Sequence, residues 1–245
     1  MSARILLATT RRVLQQLRHD PRTIALVILV PVVILSLLDW ILSNTPGAFD
    51  HWGALLLGIF PLIVMFLITS VATLRERSSG TLERLLALPM GKADFLLGYG
   101  LAFGLAAAVQ AVVVSVVAFG PLGLDVAGPV WAVTVVAVVV AVLGSSLGLF
   151  VSAFASTEFQ AVQFMPALII PQLLLCGLIG ARDTLPRALE LVSDVLPLSY
   201  AVDAMKQLTA SATLTGEFWR DLTVVAAFVV GALVLGSATL PRRTP

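Results

Sequence analysis

The sequence is poor in charge. Only 12% of its 245 residues are Asp, Glu, Lys or Arg, 59% are apolar, and the mean hydropathy is +1.02, whereas soluble domains average about 25% charged and 45–50% apolar residues. No charge occurs in 52–74, 95–124, 126–157, 159–181 or 222–241. Each run reaches the roughly 20 residues that an α-helix needs to cross about 30 Å of hydrocarbon. A sixth run, 23–38, is interrupted only by Asp39 before Trp40, Ile41 and Leu42 complete the length. At about 20 residues each, these segments consume half the chain or more, so no loop is long enough for a sizeable soluble domain.

Other shortages exclude chemistry. The single cysteine, Cys176, lies in an apolar run, which rules out an intrachain disulfide and a thiolate metal cluster. His19 and His51 fall on opposite sides of the first span, so neither a histidine metal site nor a histidine relay is expected. The only Gly-Lys pair, Gly91-Lys92, is followed by Ala93, and Leu86 stands where a phosphate-binding loop requires its first glycine. The chain is therefore expected to bind no nucleotide, metal or other cofactor by itself. No run of carboxylates or lysines occupies the spans, which argues against an ion-driven carrier. The first twenty residues carry Arg4, Arg11, Arg12 and Arg18 without an adequate apolar core, so no cleavable signal is expected there.

The formal net charge of +1 conceals an asymmetry. Arg4, Arg11, Arg12, Arg18 and Arg22 precede the first span, Arg75, Arg77, Arg84 and Lys92 lie between the second and third, and Arg242 and Arg243 follow the sixth. The connections after the first and third spans hold no basic residue. By the positive-inside rule both termini and the 75–93 segment face the cytoplasm. The 182–220 connection then lies outside. The expected architecture is an all-α integral membrane protein, one transmembrane domain over 1–245, with spans near 23–42, 52–74, 95–119, 127–153, 159–181 and 222–240.

Three segments outside the spans carry helical signals. In 3–20, Leu6, Val13, Leu14 and Leu17 recur at helical spacing while Arg4, Arg11 and Arg18 repeat every seven residues on another face. Such a helix would lie in the membrane interface, or serve only as a basic topology anchor. Pro21 marks a turn into the first span. In 75–89, Gly80 can cap a helix with Glu83 at its third position and Leu82, Leu85 and Leu86 on one face, stopped by Pro89. A two-turn helix is marginal in water and must dock, on the membrane, on neighbouring spans or on a cytoplasmic protein. In 184–208, Thr184 can cap a helix over 185–194 with Pro186 in its first turn, and a second helix can run from Pro197 through Lys206. The pair suits a re-entrant or interfacial hairpin over the outer face.

Two patterns invite misreading. Gly144-Ser145-Ser146-Leu147-Gly148 matches the G-x-S-x-G of hydrolases, but it sits mid-span with no histidine at that depth. Close helix packing explains Gly144 and Gly148 better, as it does Gly100 and Gly104. Polar residues in spans point to a translocation path. The candidates are Gln110 in the third span and Gln160, Gln163 and Gln172 in the fifth, which Pro166 and Pro171 are expected to bend. Asp39 lies close enough to the outer interface to be solvated.

The stretch Arg-Glu-Arg-x-x-Gly-Thr-Leu-Glu-Arg-Leu-Leu-x-x-Pro at 75–89, directly after the second span, resembles the pattern of type-2 ABC-transporter permeases, especially the bacterial drug-resistance and nodulation-factor exporters. Residues 11–22 and the 185–201 stretch agree with it. The resemblance implies a permease that moves an amphiphilic or hydrophobic substrate out of a bacterial cytoplasm or inner leaflet. Arg75, Glu76, Arg77, Gly80, Thr81, Leu82, Glu83, Leu86 and Pro89 would then belong to a coupling helix seated in a separate ATP-binding subunit. Arg4, Arg11, Arg12 and Arg18 would lie on the interface helix. The implied assembly has two permeases, identical or paralogous, and two ATPase subunits carrying ATP and Mg. Membrane lipid is the further partner expected, and no nucleic acid. The competing reading is an ATPase-independent carrier or channel, and a more distant one is an intramembrane enzyme built on Ser146.

Overall fold

The computed structural model describes residues 3–78 and 92–239, which are mostly helical with no strand among them. Helix α1 (Ala3–Arg18) precedes α2 (Pro21–Leu42), α3 (Ala48–Ser78), α4 (Lys92–Phe119), α5 (Val130–Ser152) and α6 (Glu158–Leu175). The short helices α7 (Arg187–Asp194) and α8 (Pro197–Ala210) lead into α9 (Gly216–Thr239). Six of them, α2 to α6 and α9, are long and apolar enough to cross a membrane. The expected helix over 80–90 lies outside the described residues.

Boundaries follow from local chemistry. At the start of α2, the Asp20 carboxylate accepts from the Thr23 amide at 3.1 Å and the Thr23 hydroxyl at 2.6 Å, with Pro21 in the first turn, where its missing N–H costs nothing. Helix α3 runs 31 residues, past its uncharged stretch at both ends. Arg75 and Arg77 sit in its last turn, where cations favour the negative end of the helix dipole.

The fifth span corrects the expectation of 159–181. It ends at Leu175, because Gly177 adopts φ +84 and turns the chain. The helix continues through Pro166 and Pro171 without a break. Helix α7 starts at Arg187, two residues later than expected. Pro186 stands at its N-cap position without a side-chain bond, and the Thr184 hydroxyl donates to Ala181 O at 2.6 Å within a 3-10 turn, Arg182–Thr184. Helix α8 extends to Ala210 rather than Lys206. The sixth span begins at Gly216, six residues before the expected 222, because the charge at Asp221 is partnered rather than solvated. The fourth begins at Val130, after Gly128, whose amide donates to Leu208 O at 2.7 Å.

Helices α3 and α5 form the centre, with 61% of each apolar window buried, against 17% for α2, α6 and α9. In lipid no hydrophobic force drives helices together, so association rests on close packing. Small residues supply it: a Cβ on Gly144 would lie 2.3 Å from Leu62 O, and one on Gly148 2.6 Å from Phe66 O. The α5 backbone is thus in direct contact with the α3 backbone. Gly100 and Gly104 differ. Their added Cβ atoms would meet a Leu233 methyl at 3.1 Å and Val142 methyls at 3.9 Å.

Candidate functional site

At the α1 end of the bundle, the last turn of α3 holds three charged side chains just before the chain leaves the described residues, and each is bonded to a different helix. Glu76 is buried and accepts from Arg12 of α1 at 2.9 Å. The Arg12 guanidinium also donates to the Tyr99 hydroxyl of α4 and lies over its ring, 5.7 Å from the centroid. Arg75 grips Glu158, the first residue of α6, through two parallel bonds of 2.7 and 2.9 Å. Arg77 donates to Ser152 O at the last residue of α5, satisfying a carbonyl that the helix end leaves open. This end of α3 therefore ties α1, α4, α5 and α6 together.

Helix α1 is itself anchored on α4. A Cβ on Gly98 would lie 2.8 Å from the Thr9 side chain, and the Thr10 hydroxyl donates to Gly98 O at 3.2 Å. Of the four α1 arginines, Arg4, Arg11 and Arg18 are exposed, while Arg12 turns inward to the Glu76 pair. The seven-residue repeat already separates Arg12 from the others.

Between α1 and the adjacent parts of α2, α3 and α4 lies a half-open recess of about 310 Å³. Val13, Leu17, Leu67, Ile68, Val71 and Phe103 form its apolar wall, and Gln16, Asp20, Thr23, Arg75 and Glu76 its polar part. The bonds from Thr23 hold the Asp20 carboxyl below its ordinary value, so it is ionised at neutral pH.

At the opposite end, Arg182 pairs with Asp194 and, at 2.5 Å, with Asp203, fastening α7 to α8. Ser193 Oγ donates to Leu175 O at 2.8 Å and closes the end of α6, while Lys206 Nζ donates to Gly177 O at 2.5 Å. The buried Asp221 accepts from Gln207 at 3.1 Å and from Arg220 at 2.8 Å, joining α8 to α9.

The four glutamines do not form one polar path. Gln110 is fully buried, and its amide donates to Val27 O of α2 at 2.9 Å. Val27 is the residue whose carbonyl Pro31, having no N–H, cannot engage. The Gln160 side-chain oxygen accepts from the Ser156 amide at 2.8 Å while the Gln160 backbone N–H donates to the Thr157 hydroxyl at 3.2 Å, a reciprocal cap at the start of α6. Gln163 is exposed, and Gln172 bonds back to Leu168 O of its own helix at 3.0 Å. The Ser145 and Ser146 hydroxyls both donate to Val142 O at 2.8 Å within uninterrupted helix, so no nucleophile elbow exists there.

Tyr99 and Asp20 were not singled out from sequence. A tyrosine in an apolar span requires a hydroxyl partner, and Asp-Pro before a helical run is a cap signal; both were visible. That Glu158 pairs with Arg75 was not, since 83 positions separate them.

Six apolar spans with charge gathered at their ends define a multi-pass α-helical membrane protein. Over residues 4–209 the chain matches the ABC-2 type transporter family model. It belongs to that family, the permeases of ABC transporters. It is 26% identical over 178 residues to ABC transporter G family member 20 of Dictyostelium discoideum, covering 72% of this chain and 24% of that protein. It is 24% identical to two proteins of Escherichia coli K12, the probable multidrug ABC transporter permeases YbhR, over 68% of this chain, and YbhS, over 71%. Each of those alignments covers 45% of the relative, so the chain spans less than half the length of the curated relatives it matches.

Proposed function

We propose that the chain is the membrane subunit of an ATP-driven exporter that carries an amphiphilic or hydrophobic substrate out of the cytoplasm or the inner leaflet of a bacterial cytoplasmic membrane. Family membership supports a partner ATP-binding subunit, and the names of the two bacterial relatives support a drug-like cargo. Two ATPase subunits would bind ATP and Mg, and a second permease, identical or paralogous, would complete the assembly. Both termini face the cytoplasm in this reading.

The observation that carries the mechanism is the three-way anchoring of the α3 end. Residues 79–91 follow Ser78, and Gly80, Thr81, Leu82, Glu83, Leu86 and Pro89 within them, with Arg75, Glu76 and Arg77, are the proposed coupling segment. Displacement of that segment by the closing ATPase pair would pull on Glu76, Arg75 and Arg77 and hence on α1, α6 and α5 together. A short lever at one helix end would then move most of the bundle.

Co-purification tests the partner: gently extracted chain should bring down an ATP-binding subunit encoded beside it. Glu83→Arg should weaken that assembly or uncouple ATP hydrolysis while membrane insertion persists. Retained stimulation of hydrolysis and retained transport would remove residue 83 from the contact. Substrate flux in ATPase-free liposomes driven by an ion gradient alone would overturn the exporter reading.

A further inference from the structure

We propose that the recess between α1 and the inner parts of α2, α3 and α4 is a binding site for an amphiphile bearing a protonated amine, with Asp20 as its counter-charge. At about 310 Å³ it is at the small end of ligand pockets, sufficient for a head group and the start of a chain. Its wall from Leu67, Ile68, Val71 and Phe103 is apolar, and Gln16, Asp20, Thr23, Arg75 and Glu76 are among its polar lining.

The charges select the sign of the ligand. Three charged side chains line the recess, Asp20, Arg75 and Glu76. Arg75 is committed to both oxygens of Glu158, and Glu76 is matched by Arg12. Among the described residues no cation bonds Asp20 directly, although the Arg22 amide and the charge of Arg75 favour its ionised form. The α2 N-terminus offsets roughly half a charge, which leaves the recess negative. An ionised carboxylate accepts about four hydrogen bonds, and Thr23 supplies two. An ammonium carries three N–H donors and can use the remaining acceptor sites. A carboxylate or phosphate head that carries no ammonium of its own would be repelled, and a neutral head would gain nothing from the charge.

The amine can come from an ethanolamine phospholipid or from a free amphiphilic amine. Placement of the recess at the inner leaflet rests on the orientation proposed above, whereas binding does not.

The test uses the full chain in phosphatidylcholine nanodiscs, without an ATP-binding subunit, and tritiated dodecylamine, dodecanol and dodecanoate as probes. Its outcome is thus separable from that of the exporter reading. Dodecylamine should bind saturably, dodecanol about tenfold more weakly and dodecanoate not at all. Asp20→Asn keeps an equally good helix cap but removes the charge, and should weaken dodecylamine about tenfold. Val71→Trp should fill the recess and abolish binding. Both variants are to be checked by circular dichroism and thermal melting, and the asparagine variant keeps the test decisive if the tryptophan fails to fold. Competition by added phosphatidylethanolamine supports the site with lipid as its occupant. Saturable amine binding without such competition supports it with a free amphiphile. Equal binding of the amine and the alcohol, or unchanged affinity in Asp20→Asn, overturns it.

Discussion

Gly144→Ala and Gly104→Ala are the same substitution in two motifs that are indistinguishable in sequence, and the structure predicts different results. The new Cβ at 144 would lie 2.3 Å from Leu62 O and 2.8 Å from Leu62 Cα, both backbone atoms that cannot rotate away. Ordinary contact begins near 3.4 Å, so α5 must retreat from α3 by about 1 Å, forfeiting dispersion contacts along the seam that holds the bundle's centre. Overpacking of this kind costs about 1–3 kcal/mol. For a chain of this size a loss of 2 kcal/mol lowers the melting midpoint by about 4–8 °C. At 104 the nearest atoms are Val142 methyls at 3.9 Å, ordinary contact with room to spare, and alanine is the better helix former by about 1 kcal/mol. Gly104→Ala should be neutral or slightly stabilising. The assay is the thermal midpoint of the detergent-solubilised chain, followed by fluorescence-detected size-exclusion chromatography. Equal midpoints for the two variants would refute the reasoning from the α3–α5 seam.

Three further outcomes follow from the bonding pattern. Gln110→Leu should cost about 1 kcal/mol by orphaning Val27 O, and in a Pro31→Ala background, where residue 31 regains an N–H for that carbonyl, the loss should disappear; a double-mutant cycle on melting midpoints measures the coupling. Arg12→Ala removes the 2.9 Å guanidinium bond to the buried Glu76 and should destabilise by about 1–3 kcal/mol, whereas alanine at the exposed Arg4, Arg11 or Arg18 should change stability by less than about 0.5 kcal/mol; melting of the four variants side by side decides it. Arg75→Ala and Glu158→Ala should each leave the melting midpoint nearly unchanged, because that pair is solvent-exposed, yet both should reduce ATP-hydrolysis coupling in the reconstituted complex, and the charge-swapped double variant should recover it.

Uncharged length pointed to each of the six described helices that are long and apolar enough to span, because lipid penalises charge wherever it lies in the sequence. The ends were less legible. Span 5 stops at Leu175 although the apolar run continues, since the backbone at Gly177 decides the matter and hydropathy is blind to φ. Span 6 starts at Gly216 although Asp221 lies inside it, since Gln207 and Arg220 meet that carboxylate. The glutamines show the same limit. Gln110 is polar in a span because Pro31 of another helix leaves a carbonyl open, and only the pairing of α2 with α4 reveals that. Gly144 was readable as a packing residue, but its partner helix was not, because small-xxx-small marks a surface without naming what meets it.

The shortness of α6 bears on the bilayer itself. Its 18 residues rise about 27 Å, less than the roughly 30 Å of a typical hydrocarbon core, whereas the 31 residues of α3 rise about 46 Å. One chain thus presents both a span that is too short and one that is too long. The long helix can tilt or project into water, but beside the short one the lipid must thin or its end must be sealed by protein, a place taken by the Gly177 turn and by Ser193 of α7. Lengthening the lipids therefore strains α6 most directly, the helix that Arg75 holds through Glu158.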